Sequence, residues 1–160
     1  MTPRTTSKWV RFVHLPPQER ALVVRAALRL GWTLAGLRLL GFRRCHALIL
    51  RFAPGPRDGQ ACGADRARQW TAKLVRAAAS VERNFPLQPN CLERSLALWW
   101  TLRRNGIPAE LHIGGRKSDR GFEAHAWVEW NGEVLNDSAD VHQHYARFDA
   151  PVADTESSPR

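Results

Sequence analysis

The chain predicts an α+β fold, with helices first and then an antiparallel sheet on which the last long helix packs. Three observations carry that reading. Apolar residues recur at three- and four-residue steps as far as Arg104, and from Ala109 onward they alternate with polar ones. The pair Asn131-Gly132, a strong hairpin signal, divides two of the alternating segments. At 160 residues the chain is most simply one domain, long enough to bury about 68–70% of its unfolded surface without disulfide or metal staples.

Residues 1–17 read as an irregular arm ending in Pro16-Pro17, after which Gln18-Glu19-Arg20 opens a helical pattern to about Leu40. Leu22, Ala26, Leu30, Leu34 and Leu37 form its apolar stripe, with Arg25 and Arg29 off it. Gly31 and Gly36 weaken its continuity, and Gly41 is a candidate end. More helix is expected over 42–52, and Pro54-Gly55-Pro56-Arg57-Asp58-Gly59 reads as a loop. A helix over 65–83 buries Trp70, Leu74, Ala77, Ala78 and Val81. The segment Phe85-Pro86-Leu87-Gln88-Pro89 then leads into a helix from Cys91 to about Arg104, capped by Asn90 with Glu93 three residues on. Asn105-Gly106-Ile107-Pro108 closes it. Ala109, Leu111 and Ile113 alternate with Glu110 and His112 as a strand, residues 114–121 read as a polar loop, and strands follow on both sides of Asn131-Gly132. The expected organisation is a basic helical region over 1–60, a core over 61–150 and a disordered tail over 151–160.

The net charge of +9 is uneven: residues 1–60 hold eleven Lys/Arg against Glu19 and Asp58, whereas residues 61–160 balance. No zinc-finger spacing, RNA-binding signature or Gly-rich phosphate loop accompanies the basic part, so a nucleic-acid partner and a nucleotide cofactor are not expected. An acidic peptide or protein partner is. Arg25, Arg29 and Arg38 interrupt the longest apolar stretch, which argues against a membrane span, and the first residues lead into no secretory signal pattern. Cys45, Cys62 and Cys91 are odd in number and irregular in spacing, which fits a reducing, cytoplasmic setting without a disulfide framework. His142 and His144 with Cys45-His46 match no common zinc spacing, and no metal is expected.

Cys91 carries the chemistry. In the first turn of a helix it faces unpaired amides and the positive end of the dipole, a setting suited to an anionic nucleophile. His125 and Asp137 follow in chain order. A cysteine nucleophile needs a histidine to take its proton and a third group to orient that histidine. The competing reading is an inert buried cysteine. The Cys91 amide is the first candidate oxyanion donor, Gln88 or Asn90 a second, with Asn90 also the cap. Trp127 shares the His125 face and is a candidate wall of the cleft, while His112 reads as structural or solvent-facing. The hairpin adds a geometric condition. If Asn131-Gly132 is a two-residue turn, Asp137 lies opposite Ala126 and faces away from His125. If Trp130-Asn131-Gly132 is a three-residue loop with a bulge, Asp137 faces His125. The triad therefore expects the three-residue loop.

The run Asn90-Cys91-Leu92-Glu93-Arg94-Ser95-Leu96-Ala97-Leu98, then Gly106-Ile107-Pro108-Ala109-Glu110-Leu111-His112-Ile113-Gly114, then Phe122-Glu123-Ala124-His125-Ala126-Trp127-Val128-Glu129 and Asn136-Asp137, resembles the transglutaminase-like leader peptidases of lasso-peptide biosynthesis. These in turn resemble the C-terminal part of microcin-processing proteins. Gly115 departs from the pattern, which has a larger apolar residue there. The resemblance implies a transglutaminase/papain-like core and a cysteine peptidase, without a cofactor, that removes the leader from a ribosomally made lasso precursor peptide. It also implies a later cyclase and a separate leader-recognition protein, since the chain leaves no room for a second domain of about 80 residues. Two alternatives stay open: acyl transfer to an amine by the same triad, and a scaffold whose triad is vestigial.

Overall fold

The computed structural model describes residues 14–53, 64–119 and 121–148. The expected loop over 54–59, residues 1–13 of the expected arm, the tail over 151–160 and Cys62 lie outside the described residues. Three long helices come first: α1 (Pro17–Phe52), α2 (Ala64–Asn84) and α3 (Cys91–Arg104). Strands β1 (Glu110–Ser118), β2 (Gly121–Trp130) and β3 (Glu133–Val134) follow, then the single-turn α4 (Val141–His144) and the short β4 (Ala146–Arg147). The sheet is antiparallel throughout, in the order β3-β2-β1-β4. The architecture is α+β, a helical N-terminal part followed by an antiparallel sheet.

Pro17 starts α1, where its missing N–H costs nothing. The helix breaks at Gly41, whose φ of 75° and ψ of 171° lie outside helical space and suit a residue without a Cβ. The break folds the two halves together. On a straight helix Gly36 and Cys45 would stand about 14 Å apart along the axis, yet a Cβ on Gly36 would lie 2.8 Å from Cys45 Sγ. The first half packs Ala26, Leu30 and Leu34 against Val81 of α2 and Ala97 of α3. The second half brings Cys45 and Ile49 into the main core with Leu74, Leu96, Leu98, Trp99 and Leu102. Leu111, Val128 and Trp130 close that core from the sheet, so α3 lies between the helices and the sheet.

Gly106, at φ 73°, ends α3 in a left-handed cap: its N–H donates to the Arg103 carbonyl and that of Ile107 to the Leu102 carbonyl. The segment after Ile113 is strand, not the polar loop its composition suggests. Gly114 and Gly115 mark close approach within β1. A Cβ at Gly114 would meet the Ala146 carbonyl oxygen at 2.7 Å and the Trp127 ring at 3.0 Å, and one at Gly115 would run into the Phe122 ring. No helix among the described residues is long and apolar enough to cross a membrane.

Candidate functional site

The start of α3 is fixed from both directions. Asn90 Oδ1 accepts from the Glu93 N–H at 2.9 Å, and the Asn90 N–H donates to Glu93 Oε2 at 2.9 Å. Arg38 of α1 reaches the same buried carboxylate, its Nε 3.4 Å from Glu93 Oε1. Cys91 is the first residue of this helix and is half-buried, whereas Cys45 is buried in the main core, where burial pushes its thiol up. Of the two candidates for a second oxyanion donor, Asn90 has its side-chain carbonyl committed to the cap. Gln88 is exposed on the segment leading to Cys91.

The hairpin after β2 is a two-residue turn, contrary to the three-residue loop set as a condition above. Glu129 pairs with Val134 and Trp130 with Glu133, and Asn131 (φ 52°) and Gly132 (φ 76°) both take the positive φ of a type I′ turn. Strict continuation would turn Asp137 away from His125. The chain leaves the ladder first. The Leu135 N–H still donates to the Val128 carbonyl, but the return bond does not come from backbone: the Val128 N–H donates to Asn136 Oδ1 at 2.8 Å. Asn136 Nδ2 donates to Ser95 Oγ at 2.9 Å, and Ser95 Oγ donates to the Ala126 carbonyl at 2.8 Å. Ala126 and Val128 face the same edge of β2, so side chains of Asn136 and Ser95 stand where a longer β3 would have run. Ser95 is one turn after Cys91 on α3. The helix is thereby held through Ser95 at the edge of β2.

Freed from the ladder, Asp137 meets His125, with Oδ2 at 2.5 Å from Nε2. Partial burial alone would push the Asp137 carboxyl up. The hydrogen bonds to His125 and to the Ser138 amide, with the charges of His125 and Arg94, hold it below the usual aspartate range. An imidazole whose Nε2 is held by a carboxylate has Nδ1 left to receive a proton from another group.

Residues 138–145 shape the surroundings of His125. Tyr145 stacks on its ring at 4.7 Å between centroids, and Arg116 lies over the Tyr145 ring at 4.9 Å. Trp127 lies beside His125 at 6.3 Å, but it is fully buried and so backs the histidine instead of walling an open cleft. Its position is set by the buried Glu129, which accepts from Trp127 Nε1 at 2.5 Å and from Arg147 Nη2 at 2.6 Å. His112 is buried and stacked beside Trp127, its ring 5.8 Å from the indole and its Nε2 3.2 Å from Glu110 Oε2. It is not solvent-facing. Burial lowers its tendency to protonate, with Glu129 and Glu110 opposing that effect.

Of the residues singled out in the sequence, His125 and Asp137 are hydrogen-bonded to each other, and Cys91 stands at the start of the helix tied to their hairpin. Tyr145, Ser95 and the ladder-replacing role of Asn136 were not read from the sequence. Tyr145 follows His142-Gln143-His144, a stretch with no periodicity to place it, and Ser95 appears only as one polar residue within an apolar helix. Among the described residues no group of three or more His, Cys, Asp or Glu side chains could hold a metal ion. A family model described as transglutaminase-like superfamily matches residues 30–148. No curated protein and no solved structure matches the chain.

Proposed function

We propose, from the premise that this chain belongs to the transglutaminase-like superfamily, that it is a cysteine peptidase acting through Cys91, His125 and Asp137. Members of that superfamily are typically cysteine proteases or acyl transferases. The observation that carries the reading is the His125–Asp137 hydrogen bond at 2.5 Å, formed although the hairpin register would have prevented it.

In this mechanism His125 Nδ1 takes the Cys91 proton and the thiolate forms a bond to the substrate carbonyl carbon. The Cys91 amide donates to the resulting oxyanion. The C–N bond then breaks, the imidazolium gives its proton to the leaving amine, and water hydrolyses the thioester with His125 again taking a proton. Asp137 keeps the ring oriented throughout. The substrate we infer from the sequence resemblance is the leader–core junction of a ribosomally made lasso precursor. A separate leader-recognition protein delivers it in the cytoplasm, and cleavage frees the amine that a cyclase uses next.

The test is cleavage of such a precursor, with the recognition protein present, followed by mass spectrometry. Wild type should release leader and a core with a free amine. Cys91→Ala and His125→Ala should both fall to background, while Asp137→Ala should lose less, because it removes only orientation. Iodoacetamide should label Cys91 well before Cys45, which is buried. Full cleavage by Cys91→Ala would overturn the mechanism. Incorporation of an added primary amine in place of water would instead identify the acyl-transferase chemistry.

A further inference from the structure

The fold-back of α1 leaves a groove that the site described above does not use. It has a volume of about 380 Å³ and lies between the two halves of α1 and Trp100 of α3, with Trp32, Leu40, Leu48 and Phe52 among its walls. Trp32 and Trp100 meet edge to face at 6.5 Å. The lining is apolar except at two points. Thr33, fully buried, has no hydrogen-bond partner for its hydroxyl among the described residues, and neither does the Trp100 Nε1–H. The apolar surface continues from Trp32 out of the groove along one ridge of α1, where Val24, Leu28 and Trp32 follow at four-residue steps and are 46%, 66% and 61% exposed.

One end of the groove is cationic. Arg25 and Arg29 precede Trp32 and Thr33 on the same side of α1. Arg104 donates to the carbonyl of Phe52, a groove residue. Burial of Arg29 and the like charges of Arg104 and Arg25 together disfavour its protonated form. Neither Arg25 nor Arg29 has a carboxylate within ion-pair distance among the described residues. Three guanidinium groups beside an apolar groove call for an anionic counterpart.

We propose that this groove docks an acidic amphipathic helix of a separate protein, with its apolar side chains in the groove and its carboxylates on Arg25, Arg29 and Arg104. The exposed ridge from Val24 to Leu40 measures about 24 Å, the length of four to five helical turns. A second copy of this chain would bring the same cationic end and repel. Trp100 lies nine residues beyond Cys91, about 14 Å along α3, so the docked helix leaves Cys91 open. The inference does not depend on the peptidase reading.

The probe is a labelled synthetic helix of about 18 residues, long enough to form, with Leu and Phe at three- and four-residue steps and Glu on both flanks. Its anisotropy with the full chain should saturate. Glu→Gln changes in the peptide, or Arg25→Glu with Arg29→Glu in the protein, should weaken binding by about tenfold or more at low salt. Leu28→Glu with Trp32→Glu should abolish binding while circular dichroism stays unchanged, both side chains being exposed. The iodoacetamide rate at Cys91 should be the same with and without peptide. Absence of saturation, equal binding of the Gln peptide, or protection of Cys91 by the peptide would each overturn the proposal. So would two outcomes sensitive to Leu28→Glu: co-sedimentation with phosphatidylglycerol vesicles in place of peptide binding, which points to a membrane surface, or a concentration-dependent dimer, which points to self-association.

Discussion

At Asn136 one side chain substitutes for a strand's backbone and joins that strand to a helix. Its Oδ1 accepts the Val128 N–H that strand pairing would have satisfied, and its Nδ2 reaches Ser95 on α3. Asn136→Ala should leave the Val128 N–H without its acceptor and cost about 1–3 kcal/mol, read as a lowered denaturant midpoint. Asn136→Asp keeps the acceptor for Val128 but cannot donate to Ser95, so it should fall between alanine and wild type. At this scale the sequence was informative about residue types and silent about one role. Asn136-Asp137 stood out as a pair, but which of them ends the ladder depends on where α3 sits, and that contact is 41 positions away in the chain. Cys91 was legible because a cap is local: Asn90 and Glu93 lie within one turn of it.

The strands show how local signals can be right about a turn and misleading about its neighbours. Asn131-Gly132 is the I′ turn its composition predicts, and only the demand for a bulge, made to bring Asp137 to His125, was misplaced. Glycine and charge cluster at Gly114 and Gly115 as they do in a loop, but both residues lie within β1, and what excludes a side chain at them is tertiary. The two positions should respond differently to Ala. At Gly114 the obstructing atoms are the Ala146 carbonyl oxygen and the buried Trp127 ring, neither free to move, and Gly114→Ala should cost about 1–3 kcal/mol. At Gly115 the nearest atom is the far end of Phe122, which is 67% exposed and can swing aside. Gly115→Ala should therefore be markedly milder in thermal melts.

For the whole molecule, the order of helices and sheet was legible from periodicity, and α2 buries Leu74, Ala77, Ala78 and Val81 of its apolar stripe as expected, but not Trp70, which is 36% exposed because it sits at the edge of that stripe. The crossing segment with α4 and β4 was not, since its anchors are long-range: Glu129 with Arg147, and Tyr145 on His125. The break in α1 has a further consequence for assembly. Nothing stands within 4 Å of a Cβ built at Gly41, so the turn is maintained by backbone freedom and by packing on either side of it. Gly41→Ala makes φ 75° costly and favours one uninterrupted helix of 36 residues, about 54 Å long. Residues 42–52 would then be carried away from their own core and could bury Cys45 and Ile49 only in the vacancy left by the same change in another molecule. The expected result is a domain-swapped dimer whose fraction grows with refolding concentration, measured by sedimentation velocity. A variant that remains monomeric at high concentration would show that the two halves fold back without glycine.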